Sequence, residues 1–137
     1  MKQIMPEKKR PSKNMIGGPF AVVDFKKIYL NNESGKMLNP GNGDLWVTIG
    51  IDKPNSLVTF TKCLPDTEGA FKMSRVCETE FARRIETNRA LSAIIRAGFP
   101  LGMLGKQLPV SLLMDGSIMA DYRWERQKQP EMVEYTA

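Results

Sequence analysis

Alternating apolar and polar positions near the middle of the chain predict a β-hairpin. Residues 45–51 carry Leu, Val and Ile at every second position, and Trp46 stands among the polar or small residues between them. This period of two is typical of a strand with one buried face. A turn at residues 52–55 and a second apolar-rich run at residues 56–62 complete the predicted hairpin.

The first long apolar run, residues 20–30, predicts one extended strand. It is rich in Phe, Val, Ile and Tyr, which favour strands. Its alternation is imperfect at residues 24–27, and we interpret this irregularity as a bulge or a twist. Residues 31–43 are dominated by Asn, Gly and Pro, and they predict a long loop with no element of its own.

A helix is predicted from Ser74 or Thr79 to Ala97. Its apolar side chains recur at a spacing that places them on one face of a helix with 3.6 residues per turn. Gly98 is suited to the C-cap and Pro100 prevents any continuation of the helix. The apolar face consists of Phe81, Ile85, Leu91 and Ile95.

The pair Asp115-Gly116 lies between two β-rich runs and predicts a second hairpin. Such a pair is typical of a two-residue turn of type I′, in which both turn residues adopt positive φ. The flanking strands are then residues 110–114 and 117–124. The resulting register pairs Leu113 with Ile118.

These elements predict a mainly β protein of the α+β class, in the order β-β-β-α-β-β. Two architectures fit this order: a small OB-like barrel, or an antiparallel sheet with one helix packed on it. We expect one globular domain at residues 18–127, preceded by a flexible basic arm at residues 1–17 and followed by a tail at residues 128–137.

The composition is that of a folded protein, but the absence of histidine limits its chemistry. The 137 residues are 42% hydrophobic and 26% charged, and none is His. Catalysis by Ser-His-Asp or Cys-His groups is therefore excluded, as are His metal ligands. A metal-dependent nuclease using Asp24 or Asp66 is the remaining enzyme hypothesis, although neither acid has a Lys in the required order. We expect a protein that is not an enzyme and that holds no cofactor or metal.

The net charge of +5 is concentrated in the arm. Residues 1–13 contain five basic residues and one acidic residue, whereas residues 14–137 contain the other 15 basic and 14 acidic residues. A basic arm suggests a polyanionic partner such as nucleic acid. A nearly neutral body can bind nucleic acid only through a local patch or through this arm. The arm's candidate phosphate contacts are Lys8, Lys9, Arg10 and Lys13.

Aromatic residues beside basic ones favour binding to single-stranded DNA or RNA. Proteins of this kind combine a positive surface with aromatic rings on which bases stack. Trp46 is opposite the apolar face of its predicted strand, where a Trp has few structural reasons to lie. The alternative for each aromatic is packing in the core or at its rim. The candidate stacking residues are Trp46, Tyr29, Tyr122 and Trp124, and the candidate phosphate contacts of the body are Lys26, Lys27, Lys62 and Arg123.

A second hypothesis is an accessory or inhibitor protein that binds another protein or assembles with itself. The apolar, Gly-rich segment at residues 98–108 and the nine Met residues suit an interaction surface or a homo-oligomer. No apolar run approaches the roughly 18 residues that a membrane span requires. Together with the lack of a signal peptide and with only Cys63 and Cys77 as thiols, this predicts a cytoplasmic setting and no membrane partner.

Overall fold

The structure of the protein is a computed structural model, and it describes residues 17–123. Trp124, almost all of the predicted arm and the predicted tail lie outside these residues. Within them, the chain forms eight strands, two α-helices and one 3₁₀ turn. The strands are β1 (Phe20–Val23), β2 (Ile28–Leu30), β3 (Leu45–Asp52), β4 (Leu57–Cys63), β5 (Phe71–Arg75), β6 (Arg83–Ile85), β7 (Leu108–Leu112) and β8 (Ile118–Asp121); the helices are α1 (Asn32–Leu38) and α2 (Asn88–Arg96), and the 3₁₀ turn is Leu101–Met103.

The eight strands form one closed barrel in the order β1-β2-β6-β5-β3-β4-β8-β7. Every pair is antiparallel, and β7 closes the barrel by pairing with β1. The predicted small, mainly β class is confirmed, and of the two predicted architectures the structure has a barrel and not an open sheet. The order of elements is β-β-α-β-β-β-β-α-β-β instead of the predicted β-β-β-α-β-β. The barrel therefore has three more strands than the five of an OB-type barrel.

The core fills the inside of the barrel with the inward-facing residues of all eight strands. Alternate positions are buried along β1, β2, β6, β8, the first half of β3 and most of β4 and β7, while β5 buries Met73 alone, as half-buried strands require. Full burial of one such side chain contributes about 1.5–3 kcal/mol. The inward-facing residues with no exposed surface include Leu30, Leu45, Val47, Val58, Phe60, Met73, Leu108 and Ile118.

The run at residues 20–30 forms a hairpin instead of the single long strand predicted. The chain reverses at residues 24–27, where the Asp24 N–H donates to the Lys27 carbonyl at 2.9 Å, and Val23 pairs with Ile28. The imperfect alternation therefore marks a turn and not a bulge.

The predicted long helix is replaced by two strands and a shorter helix. Residues of β5 and β6 occupy its first part, and α2 begins only at Asn88. The Thr87 hydroxyl caps α2 by accepting from the Arg89 N–H at 3.2 Å. Alternation over the three residues of β6 cannot be told from a helical face, because the two periods diverge only over longer stretches.

The end of α2 confirms the predicted stop signal. Gly98 has a φ of +116°, a conformation that residues with a Cβ rarely adopt. The Gly98 N–H donates to the Ile95 carbonyl at 3.0 Å, and the Phe99 N–H donates to the Ile94 carbonyl at 3.1 Å. This pattern is the Schellman motif, with the buried Phe99 and Ile94 as its apolar pair.

Helix α1 lies within residues 31–43, where the sequence predicted only a loop. The Asn31 side chain caps it by accepting from the Ser34 N–H at 3.1 Å. Its buried face consists of Ser34, Gly35 and Leu38. Because two of these three side chains are small and polar or absent, the segment lacks the apolar periodicity that marks an amphipathic helix.

The last hairpin has a different turn and register from those predicted. Leu112 pairs with Ile118, so the register is shifted by one residue. The turn is a three-residue loop in which Gly116 alone has a positive φ, of +92°. Its Asp115 carboxylate accepts from the Ser117 N–H at 2.9 Å, which lowers the pKa of Asp115. A type I turn followed by a left-handed Gly gives this geometry, whereas type I′ would require a positive φ at Asp115 too.

The antiparallel register places the helices at opposite ends of the barrel. The α1 end carries α1, residues 39–44 and the β7–β8 turn, since α1 follows the last residue of β2 and contacts β1, β2, β7 and β8. The α2 end carries α2, the β1–β2 turn and the β3–β4 turn. Neither α-helix in the described range is long and apolar enough to cross a membrane.

Candidate nucleic-acid interface

Four adjacent strands, β2, β6, β5 and β3, present a continuous outer surface that we call the β2–β3 face. Tyr29 on β2 pairs with Arg84 on β6, and Arg84 pairs with Ser74 on β5. Lys72 on β5 pairs with Trp46 on β3. Tyr29 and Trp46 are therefore on the same face, separated by three strand spacings and by two residues along β5.

The β1–β2 turn extends this face at the α2 end of the barrel with an exposed aromatic ring and two lysines. Phe25 is 66% exposed, and Lys26 and Lys27 are exposed beside it. The Lys27 Nζ lies 5.8 Å from the centroid of the Tyr29 ring, within the range of a cation–π contact. Phe25, Lys26 and Lys27 line a shallow groove of about 520 Å³ with Asp24 and Glu86.

Arg84 forms the single ion pair among residues 17–123. Its Nε lies 3.1 Å from the Glu86 Oε2, with the two side chains 35% and 59% exposed. The Nε is shielded from solvent but makes no aligned hydrogen bond, so the contact is an electrostatic pair with poor N–H geometry. Within the described range, Lys26, Lys27 and Lys72 have no carboxylate partner.

Trp46 is half-buried and does not stand free on the surface. Cys63 on β4 and Lys72 on β5 pair with it from opposite sides. The connection of residues 64–70 therefore crosses from one side of β3 to the other beside this residue. Trp46 remains a candidate for stacking through the part of its ring that is exposed.

Tyr122 lies in the core, contrary to its predicted place on the binding surface. It is 4% exposed, and its ring packs edge-on against Phe99 with 5.1 Å between centroids. Its N–H donates to the Ser56 carbonyl at 2.9 Å. Because no ring face is open to a base, Tyr122 does not belong to the candidate surface.

The remaining predicted contacts are not on the β2–β3 face. The Lys62 Nζ donates to the Asn39 Oδ1 at 3.0 Å, at the α1 end of the barrel. Arg123 is exposed at the α2 end, beyond the last residue of β8. Trp124 and the arm residues Lys8, Lys9, Arg10 and Lys13 lie outside the described residues.

Sequence reasoning missed two members of the face, Phe25 and Arg84. The sequence predicts a strand that contains Phe25 beside Lys26 and Lys27, and this strand gives no sign that the ring is more exposed than its neighbours. The break in alternation at residues 24–27 is the signal that identifies it, because a large apolar residue in a turn has no core to enter. The sequence predicts a helix around Arg84, and the position of Arg84 beside Tyr29 depends on a strand pairing that the sequence does not reveal.

The neighbouring Arg83 is buried inside the α1 end and is fully engaged there. It is 2% exposed, and it donates to the Met73 carbonyl at 3.3 Å, the Asn42 Oδ1 at 2.8 Å and the Gly43 carbonyl at 2.7 Å. Burial and, secondarily, the nearby Arg75 lower the pKa of Arg83, against the opposing effect of Asp44. Arg83 therefore anchors the loop before β3 and contributes nothing to the outer face.

The β2–β3 face offers π-faces and cationic groups. Among residues 17–123, no three Cys, Asp or Glu side chains come together as a metal site would require. No protein-family model matches the chain, and no curated protein or solved structure is significantly similar to it.

Proposed function

We propose that this protein is a non-enzymatic nucleic-acid-binding protein that holds single-stranded DNA or RNA on its β2–β3 face. The observation that carries the proposal is the exposed Phe25 ring beside Lys26 and Lys27, with the Lys27 ammonium over the Tyr29 ring. An isolated exposed Phe adds nothing to the core, whereas beside unpaired cations it provides the two contacts that a single strand requires.

The roles of the residues follow from the chemistry of a nucleotide. Phe25, Tyr29 and the exposed part of Trp46 stack on bases, which contributes about 1–3 kcal/mol for each base. Lys26, Lys27 and Lys72 contact phosphates. Bases must be unpaired to present their faces to these rings, so a single strand is favoured over a duplex.

The basic arm takes part in the same binding, as its sequence indicates. Its four cationic side chains at Lys8, Lys9, Arg10 and Lys13 supply sequence-independent attraction to phosphates. The cytoplasmic setting is also retained in the proposal, and it is supported by the free thiols of Cys63 and Cys77.

A second candidate function, self-association or binding of another protein, is favoured by one observation at the α1 end. Leu112 is 53% exposed and Met114 is fully exposed at the β7–β8 turn. Leu112 also lines a mainly apolar groove with Pro19, Met37 and Pro40, and Glu33 and Lys36 complete its lining. Exposed apolar clusters of this kind mark interaction surfaces.

Two variants at opposite ends of the barrel separate the two functions. Labelled single-stranded and duplex oligonucleotides are titrated with the full-length protein, Phe25→Ala and Met114→Ala at several salt concentrations. Both substitutions remove an exposed apolar side chain, so neither is expected to unfold the barrel. We expect single-strand binding that Phe25→Ala weakens about 5- to 100-fold and that Met114→Ala leaves unchanged.

The solution mass of the same proteins tests the second candidate. A dimer or larger species that Met114→Ala dissociates would support self-association at the α1 end. Absence of oligonucleotide binding by the full-length protein at low salt would overturn the nucleic-acid proposal. Equal binding by the wild type and Phe25→Ala would remove the β2–β3 face from it.

A further inference from the structure

We propose that Arg84 is the central phosphate contact of the β2–β3 face, and that Glu86 weakens nucleic-acid binding by competing for the Arg84 guanidinium. The inference rests on the proposed function and deepens it. It assigns phosphate recognition to a residue that the sequence placed in a helix, and it assigns a restraining role to an acid of the same face.

The position of Arg84 on the barrel supports the first part. Its register partners are Tyr29 on one side and Ser74 on the other, so it lies between the proposed stacking residue and the middle of the face. Lys27 is above the same Tyr29 ring. Arg84 and Lys27 are therefore the cations next to Tyr29, and the phosphate of a nucleotide whose base stacks there would contact them.

The chemistry of the guanidinium supports the choice of Arg84 over the surrounding lysines. Arginine presents five N–H donors in a planar fork, which fits two oxygens of one phosphate. In Arg84, only the Nε is near an acceptor, and that N–H is not aligned with it. The guanidinium is thus held in place without having its donors used up.

The geometry of Glu86 makes it a partner that a phosphate can displace. Its carboxylate is 59% exposed, and exposed ion pairs contribute little to stability because water screens them. The same carboxylate lines the groove beside Lys26 and Lys27, where its negative charge repels a phosphodiester. Glu86 therefore lowers affinity in two ways, by offsetting part of the positive charge of Arg84 and by repelling the ligand.

The test measures binding of a labelled oligo(dT) single strand to full-length variants at several salt concentrations. Arg84→Ala is compared with Arg96→Ala, which removes an exposed arginine from the last turn of α2. Glu86→Gln is compared with Glu78→Gln, an exposed acid in the β5–β6 connection. Each comparison holds the net charge equal. Thermal unfolding of every variant confirms that the barrel is intact.

We expect Arg84→Ala to weaken binding about tenfold or more, and to reduce the log–log salt slope by about 0.7, the loss of one phosphate contact on a single strand. Arg84→Lys should restore the slope but only part of the affinity, because it keeps the charge and loses the fork. Glu86→Gln should strengthen binding about two- to fivefold, beyond any effect of Glu78→Gln.

The outcomes distinguish this inference from the function on which it rests. If the wild type binds and Phe25→Ala weakens binding, but Arg84→Ala behaves like Arg96→Ala, the inference fails and the function stands. If Glu86→Gln and Glu78→Gln have the same effect, the restraining role of Glu86 is refuted. If the wild type does not bind oligo(dT) at low salt, the function and the inference fail together.

Discussion

Arg83 and Arg84 are adjacent in β6 and lie on opposite faces of the barrel wall, because successive side chains of a strand point in opposite directions. Arg83 is directed into the barrel, where three hydrogen bonds engage its guanidinium. One acceptor is Asn42, which has a positive φ of 57°. These hydrogen bonds compensate the buried charge and fix the loop that leads into β3. Arg83 therefore specifies the conformation of the α1 end.

Replacement of Arg83 by Lys should destabilise the fold markedly. Lysine keeps the charge, but it cannot reach the Met73, Asn42 and Gly43 acceptors together, so a buried charge and buried carbonyls are left incompletely satisfied. We expect a loss of about 2–4 kcal/mol in the free energy of unfolding, measured as a lower midpoint of urea denaturation.

Arg84→Lys is the matched control for this prediction. The same chemical change one residue away lies on the exposed outer face, and it should alter stability by no more than about 0.5 kcal/mol. Equal midpoints for Arg83→Lys and Arg84→Lys would show that the buried hydrogen bonds do not stabilise the loop.

The candidate site could be predicted from the sequence only where a residue's surroundings are local. Lys26, Lys27 and Tyr29 lie together because they are neighbours in one turn and strand. The outward direction of Trp46 could also be predicted, because its strand alternates cleanly between apolar residues and polar or small ones. Tyr122 could not be placed, since its direction depended on a hairpin register and on packing against Phe99, which is distant in sequence.

Helix α1 shows, at the scale of one element, how packing replaces apolar periodicity. Its Gly35 lies so close to the β5–β6 connection that an added Cβ would be 1.9 Å from the Phe81 carbonyl oxygen. The Asn32 side chain meets the same segment by accepting from the Phe81 N–H. The helix is therefore held against the α1 end by a close backbone approach and not by large apolar side chains.

Gly35→Ala should consequently destabilise the protein, although alanine normally favours a helix. The steric conflict is with backbone, which cannot move aside as a flexible side chain would. We expect a loss of about 1–3 kcal/mol by thermal or urea unfolding.

Gly102→Ala provides the control, because Gly102 has no atom within 4 Å of its added Cβ. It should be neutral or slightly stabilising, by up to about 1 kcal/mol, through the reduced freedom of the unfolded chain. If Gly35→Ala were as stable as Gly102→Ala, α1 would have to pack less closely than the structure shows.

The sequence predicts correctly those elements whose boundaries depend on residues close together in the chain. The β3–β4 hairpin follows from clean alternation, and the end of α2 follows from Gly98. The division of the predicted helix into β5, β6 and α2 does not follow from the local sequence, because β5 and β6 form only by pairing with β3, with β2 and with each other. A three-residue strand has too few positions to show its period, and its pairing partners are far away in the sequence.

For the whole molecule, the distribution of charge determines how nucleic acid can be held. Residues 17–123 contain 13 basic and 11 acidic residues, so the barrel has almost no net field to attract a polyanion from a distance. The β2–β3 face is a local exception that relies on short-range stacking and a few cations. The arm, with its net charge of +4, is suited to the long-range, salt-sensitive part of binding.

Lys8, Lys9, Arg10 and Lys13 can all be replaced by Gln in the full-length chain. These substitutions should reduce the salt dependence of binding more than they change the stacking of bases on the barrel. Each phosphate contact contributes roughly 0.7 to the log–log slope on a single strand, so the slope should fall by up to about 3. The difference in affinity from the wild type should narrow as salt is raised.

Phe25→Ala should weaken binding by the same factor in both backgrounds, because stacking on the barrel does not require the arm. A slope that the four substitutions leave unchanged would exclude the arm from the interface and leave the β2–β3 face to carry all phosphate contacts.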